Sequence, residues 1–96
     1  MVFIDIYASW CGPCKMLKSK TFPNASVGDY YNSNFVNFAI DGEKGEGIKL
    51  AEKFGITGYP TLLFVDGNGK LVAKTMGYHN PQEFLELGKT IISKRK

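Results

Sequence analysis

Cys11 and Cys14 are the only cysteines of the 96-residue chain, with Gly12 and Pro13 between them. A thiol reacts as its thiolate, so whatever stabilises that anion decides what the pair does. Ser9-Trp10-Cys11-Gly12-Pro13 ends an apolar run, and Pro13 suits the first turn of a helix, where its missing N–H costs nothing. Cys11 then sits just before the helix, facing its unpaired N–H groups and the positive end of its dipole. Cys14 follows one turn later, near enough to close a disulfide. Cys11 is expected to be the attacking sulfur, nearer the helix start and more exposed; Cys14 is expected to be the buried, resolving one. Gly12 lets the backbone turn tightly, and Pro13 limits its flexibility. Trp10 suits an apolar wall over the site, with a plain core aromatic as the competing reading.

Other uses of two thiols fit less well. Structural zinc takes four ligands, and the chain offers two thiols and one imidazole, His79. A secreted disulfide scaffold of this size carries four or more cysteines. A bracing cystine that closes so short a loop removes little chain entropy. Reversible redox chemistry is left, with the Cys11–Cys14 disulfide as the redox group and no metal or organic cofactor. His79 reads as a surface residue.

Asp5 lies inside an apolar strand, six residues before Cys11. A buried carboxyl is rare unless it is paired or functional. Desolvation raises its pKa, and an acid poised near neutrality suits proton exchange with Cys14. Alternation places Phe3, Asp5 and Tyr7 on one face and Val2, Ile4, Ile6 and Ala8 on the other, so both faces carry large apolar residues. Tyr59-Pro60-Thr61 is the third element. Pro60 opens a strand, and a cis bond there would bring the Tyr59 backbone beside the cysteines. The residue pattern alone favours trans.

The elements that must position these groups follow from pattern. Val2 to Ala8 reads as a buried strand, Pro13 to about Lys20 as a helix, Ala25 to Ser33 as a short second helix and Phe35 to Ile40 as a strand. Asp41 to Gly47 is polar and glycine-rich and reads as a connection. Ile48 to Phe54 reads as a helix that offers Ile48, Leu50, Ala51 and Phe54 to the core and stops at Gly55. Thr61 to Val65 and Lys70 to Thr75 are strands joined by the turn Asp66-Gly67-Asn68-Gly69. Asn80-Pro81-Gln82-Glu83 opens a last helix with a capping pair, and Phe84, Leu85, Leu87, Ile91 and Ile92 supply its buried face. The fold class is α/β: a mixed four-stranded sheet with helices on both faces, the first two strands parallel and the last two antiparallel.

Composition bounds the partners. Hydrophobic residues make up 44% and charged residues 22%, as in folded globular domains. No apolar run approaches the ~18 residues of a membrane span. Lys89, Lys94, Arg95 and Lys96 concentrate the net charge of +3 at the C-terminal end. The rest is close to neutral, which argues against a nucleic-acid binder.

The words Asp5-Ile6-Tyr7-Ala8-Ser9-Trp10-Cys11-Gly12-Pro13-Cys14-Lys15, Phe54-Gly55-Ile56-Thr57-Gly58-Tyr59-Pro60-Thr61, Asp66-Gly67 and Gly77 resemble the thioredoxin superfamily over almost the whole chain. The resemblance implies one thioredoxin-like domain over residues 1–96, with 91–96 as a basic end. It implies that Cys11 attacks, Cys14 resolves, Asp5 is the buried acid, Pro60 is cis and Gly77 lies near a substrate groove with Tyr59. There are departures. The chain starts at the central strand, so the family's usual first strand and helix are missing or reduced. Ser19 stands where a helix proline is usual, and Asn37 where a buried lysine is usual. Lys20-Thr21-Phe22, Val27, Phe35-Val36, Thr61 to Gly69 and Gly77-Tyr78 are similar to the C-terminal domain of DsbD-type carriers and to bacterial thioredoxin-like disulfide isomerases.

The resemblance implies a thiol–disulfide oxidoreductase that reduces or isomerises protein disulfides with an unidentified electron donor. It implies a monomer in the bacterial periplasm or envelope, with the cytoplasm as the alternative. The rival from another class is a thioredoxin-fold binding module or copper-handling thiol protein without turnover.

Overall fold

The computed structural model describes residues 1–94; Arg95 and Lys96 of the basic end lie outside the described residues. The chain runs β1 (Val2–Tyr7), α1 (Gly12–Met16), a π-helical run (Leu17–Thr21), α2 (Ala25–Asn34), β2 (Val36–Asp41), α3 (Glu46–Lys53), β3 (Thr61–Val65), β4 (Leu71–Met76) and α4 (Pro81–Lys94). The sheet order is β2-β1-β3-β4. β1 is parallel to β2 and antiparallel to β3, and β4 is antiparallel to β3. This is the mixed sheet expected from the order of elements. β1 has a neighbour on both sides, which places Asp5 opposite Ala39 of β2 and Leu62 of β3.

Strand alternation feeds two cores. Phe3, Leu62 and Phe64 face α2, the π-helical run and α4, where Leu17, Tyr31 and Phe84 are buried with them. Ile4, Ile6, Leu63 and Val65 face α3, where Leu50 and the C-cap residue Phe54 pack against them. Ile48, expected in that core, is exposed. α3 begins at Glu46, earlier than expected, and Gly47 rather than Ile48 meets the sheet in its first turn, where any Cβ would run into the Asp41 carbonyl. β2 is an edge strand, and its Val36 and Phe38 side chains are exposed.

The first helix is not uniformly α-helical. The Phe22 N–H donates to the Leu17 carbonyl at 2.9 Å, five residues back, and the wider turn buries both Leu17 and Thr21. The Thr21 hydroxyl donates to the His79 carbonyl at 2.6 Å, tying this segment to the chain ahead of α4. His79, expected at the surface, is half-buried, with Nδ1 3.1 Å from the Gly77 carbonyl. The α4 start matches its sequence pattern: the Asn80 N–H donates to Glu83 Oε1 at 3.0 Å and the Glu83 N–H to Asn80 Oδ1 at 2.8 Å.

Tyr31 is the keystone between α2 and α4. Its ring stacks on Phe84 at 4.1 Å and on Phe35 at 4.8 Å, and its hydroxyl donates to the Phe84 carbonyl at 2.7 Å. Gly88 faces that ring so closely that a Cβ would lie 2.8 Å from it. Gly88→Ala gains about 1 kcal/mol of helix propensity. The ring is held on both faces, so overpacking of up to about 3 kcal/mol opposes that gain. The variant is expected to unfold at a lower denaturant midpoint with an unchanged slope; a raised midpoint would mean that the ring yields freely.

Candidate functional site

The redox pair sits where β1 ends and α1 begins. Cys11 is the N-cap of α1 with extended backbone, φ −83° and ψ 116°, and Gly12 and Pro13 form the exposed first positions of the helix. The Cys14 N–H donates to Cys11 Sγ at 3.1 Å, the Lys15 N–H to the Cys11 carbonyl at 3.2 Å, and the Cys11 N–H to the Ala8 carbonyl at 3.2 Å. Cys11 and Cys14 are joined as a disulfide with Cα atoms 5.3 Å apart. One expectation is corrected here. Cys11 is 2% exposed and Cys14 6%, so Cys11 is not the more exposed of the two in the disulfide form. Both pack with Ala8 under the rings of Tyr7 and Tyr59.

Trp10 is 66% exposed, which excludes the core-aromatic reading. It stands edge-on to Tyr59 with ring centroids 5.8 Å apart, and its Nε1–H donates to Glu43 Oε1 at 2.8 Å. The segment from Asp41 to Gly47 is therefore more than a connection. Its Gly42 N–H donates to the Tyr7 carbonyl at 2.8 Å, and a Cβ on Gly42 would meet the Tyr59 ring. Glu43 and Gly42 are site residues that sequence reasoning missed. No local signal marks them, because their partners lie in other segments.

The Tyr59–Pro60 bond is cis, against the bare residue pattern and in line with the resemblance. Pro60 is buried, and its carbonyl accepts the Gly77 N–H at 2.9 Å. Gly77 has φ +93°, a conformation open to glycine and strained for other residues. Tyr59, Pro60 and Gly77 thus form one joined rim with Trp10. Met76, the residue before Gly77, is 52% exposed.

Asp5 belongs to a separate cavity that none of Trp10, Tyr59, Pro60 and Gly77 lines. It is 4% exposed, and among the described residues its Oδ1 has no hydrogen-bond partner. It shares a cavity of about 410 Å³ with Cys14, walled by Tyr7, Phe22 and Ala39 and edged by Lys15 and Lys18. Burial pushes the Asp5 carboxyl up to about 6. Asn37 does not approach it; the Asn37 amide donates to the Tyr31 and Phe35 carbonyls at 3.2 and 3.3 Å. Ser19 lies in the π-helical run and is exposed. Among the described residues no group of three or more His, Cys, Asp or Glu side chains is placed to hold a metal ion. None of the described helices is long and apolar enough to cross a membrane.

Comparison with known proteins agrees with this geometry. The family described as thioredoxin-like domain matches residues 1–92. The thiol:disulfide interchange protein DsbD of Pseudoalteromonas atlantica is 32% identical over 94 residues, which is 95% of this chain and 16% of that protein. The chain thus spans about one sixth of the length of that relative. The solution structure of a candidate disulphide-isomerase from Bacteroides thetaiotaomicron is 42% identical with a TM-score of 0.82, covering 95% of this chain and 75% of that one. The reduced C-terminal domain of Neisseria meningitidis DsbD is 26% identical with a TM-score of 0.79, covering 93% and 78%.

Burial of Asp5 makes folding pH-dependent. Its folded-state pKa lies above the ordinary value of 3.8, so the fold prefers the protonated acid. Below about pH 4 both folded and unfolded chains hold the proton and there is no penalty. Between about 4 and 6 the unfolded chain ionises first, and stability falls as pH rises. Above about 6 the full cost stands, on the order of 3 kcal/mol. Asp5→Asn should therefore be more stable than the parent at pH 8, with the difference closing near pH 4. Urea titrations at the two pH values check this; an equal difference at both would contradict a buried, ionising carboxyl.

Proposed function

The chain belongs to the thioredoxin-like domain family, and on that premise we propose that it is a thiol–disulfide oxidoreductase that reduces or isomerises disulfides in protein partners. The observation that carries this reading is Cys11 Sγ held at a helix start, accepting the Cys14 N–H and already paired with Cys14. An N–H aimed at sulfur stabilises the thiolate more than the thiol.

In the reduced protein, Cys11 thiolate attacks one sulfur of a substrate disulfide. The substrate S–S bond breaks, a mixed disulfide forms, and the first substrate thiolate leaves. Asp5 carboxylate then takes the Cys14 proton across the cavity they share, and Cys14 thiolate attacks Cys11 Sγ. The mixed disulfide breaks and the second substrate thiolate leaves. Two electrons have passed from the dithiol to the substrate, and the Cys11–Cys14 disulfide needs a dithiol donor to reset it. In isomerisation the first step is the same, but a thiol of the substrate displaces Cys11 before Cys14 acts. With its acid near 6, Asp5 is largely ionised at neutral pH and able to act as the base.

Tyr59, Pro60 and Gly77 support an extended substrate segment beside the dithiol, with Trp10 and the exposed Gly12-Pro13 step at its other edge. The similarity to DsbD and to the Bacteroides protein supports a bacterial extracytoplasmic setting with a dithiol protein as donor; the proposed acting unit is the monomer. Cys11→Ser is expected to abolish reduction of a protein disulfide. Cys14→Ser should accumulate covalent mixed disulfides, visible as higher-mass bands on non-reducing gels that vanish with reductant. Full turnover by the Cys11 variant would overturn the assignment.

A further inference from the structure

The Trp10 side chain is two-thirds exposed, yet it is held at two points. Its indole N–H meets the Glu43 carboxylate at 2.8 Å, and its ring stands edge-on against Tyr59. An exposed indole with no such hold samples several rotamers, and fixing it on substrate binding costs free energy. The loop that carries Glu43 is itself anchored. The Gly42 N–H is bound to the Tyr7 carbonyl, the Glu43 N–H donates to Asp41 Oδ1 at 2.9 Å, and the Lys44 ammonium lies 3.9 Å from the other Asp41 oxygen. Glu43 therefore projects from a braced turn onto a residue next to the attacking sulfur.

We infer that Glu43 is a positioning residue for protein substrates: it locks Trp10 as a preformed wall of the groove beside Cys11. This rests on the oxidoreductase reading, because it assigns the wall to substrate binding. Glu43 touches neither the sulfurs nor the bond that breaks. It acts by sparing the substrate complex the cost of ordering the indole. Its effect falls on KM for substrates large enough to lean on the wall and not on kcat.

Trp10 is the sole tryptophan, so its emission reports on the wall directly. In the disulfide form, Glu43→Ala is expected to add a fast depolarisation component to the Trp10 anisotropy decay. It should raise KM for a cystine-bridged model peptide about fivefold, the scale of one lost hydrogen bond, with kcat little changed. Glu43→Gln keeps an acceptor oxygen and should restore most of both. Exchange of Cys11–Cys14 with dithiothreitol, too small to use the wall, should be the same in all three proteins. An unchanged anisotropy decay in Glu43→Ala, or a loosened indole with an unchanged peptide KM, overturns the inference. Loss of dithiothreitol exchange in the parent instead overturns the oxidoreductase reading beneath it.

Discussion

Asp5 sits in the middle of the central strand with one carboxylate oxygen that meets no donor among the described residues. An unpartnered buried acid is among the most costly groups a small domain can carry. The fold offsets that cost with apolar packing on both faces of the sheet. Phe3 and Ile4, the two residues before Asp5, go to opposite cores, and Ile6 after it is fully buried. The acid is thus held rigidly at the one place where it shares a cavity with Cys14. The same burial that weakens the fold raises the acid to about 6, close to neutral pH.

The cavity that joins Asp5 to Cys14 is lined by none of the rim residues Trp10, Tyr59, Pro60 and Gly77. Those four are linked by the Trp10–Tyr59 ring contact, the Tyr59–Pro60 bond and the Gly77-to-Pro60 hydrogen bond. In the proposed mechanism the substrate meets the rim and the proton moves within the cavity. In the disulfide form Cys11 is as well covered as Cys14, with Tyr7 and Tyr59 packed against the pair.

What the chain declared in advance was local. Cys-Gly-Pro-Cys at a strand-to-helix junction, the Asn80/Glu83 cap and the Asp66 to Gly69 turn are short-range patterns whose partners lie within a few residues. Asp5 was legible because a carboxyl inside an apolar strand violates an otherwise consistent pattern. The cis bond at Pro60 was legible only through resemblance to a family, since the dipeptide itself favours trans. The contact of Glu43 with Trp10 spans 33 residues and depends on how β2 lies beside β1, which no local pattern encodes. The π-helical run and the outward turn of Ile48 were hidden for the same reason: each is settled by what the neighbouring element leaves room for.

The central proposal is that Cys11 and Cys14 form a reversible redox couple, and the resemblance of Cys11-Gly12-Pro13-Cys14 to thioredoxin implies a reducing bias. The most direct test equilibrates the protein in dithiothreitol or glutathione buffers of graded potential and measures the dithiol fraction by alkylation and mass. The account predicts one reversible two-electron transition in the region of thioredoxin, about −270 mV, well below the roughly −120 mV of a strong oxidant such as DsbA. A transition near the oxidant value would contradict the reducing bias, and no reversible two-electron transition at all would contradict the redox couple itself.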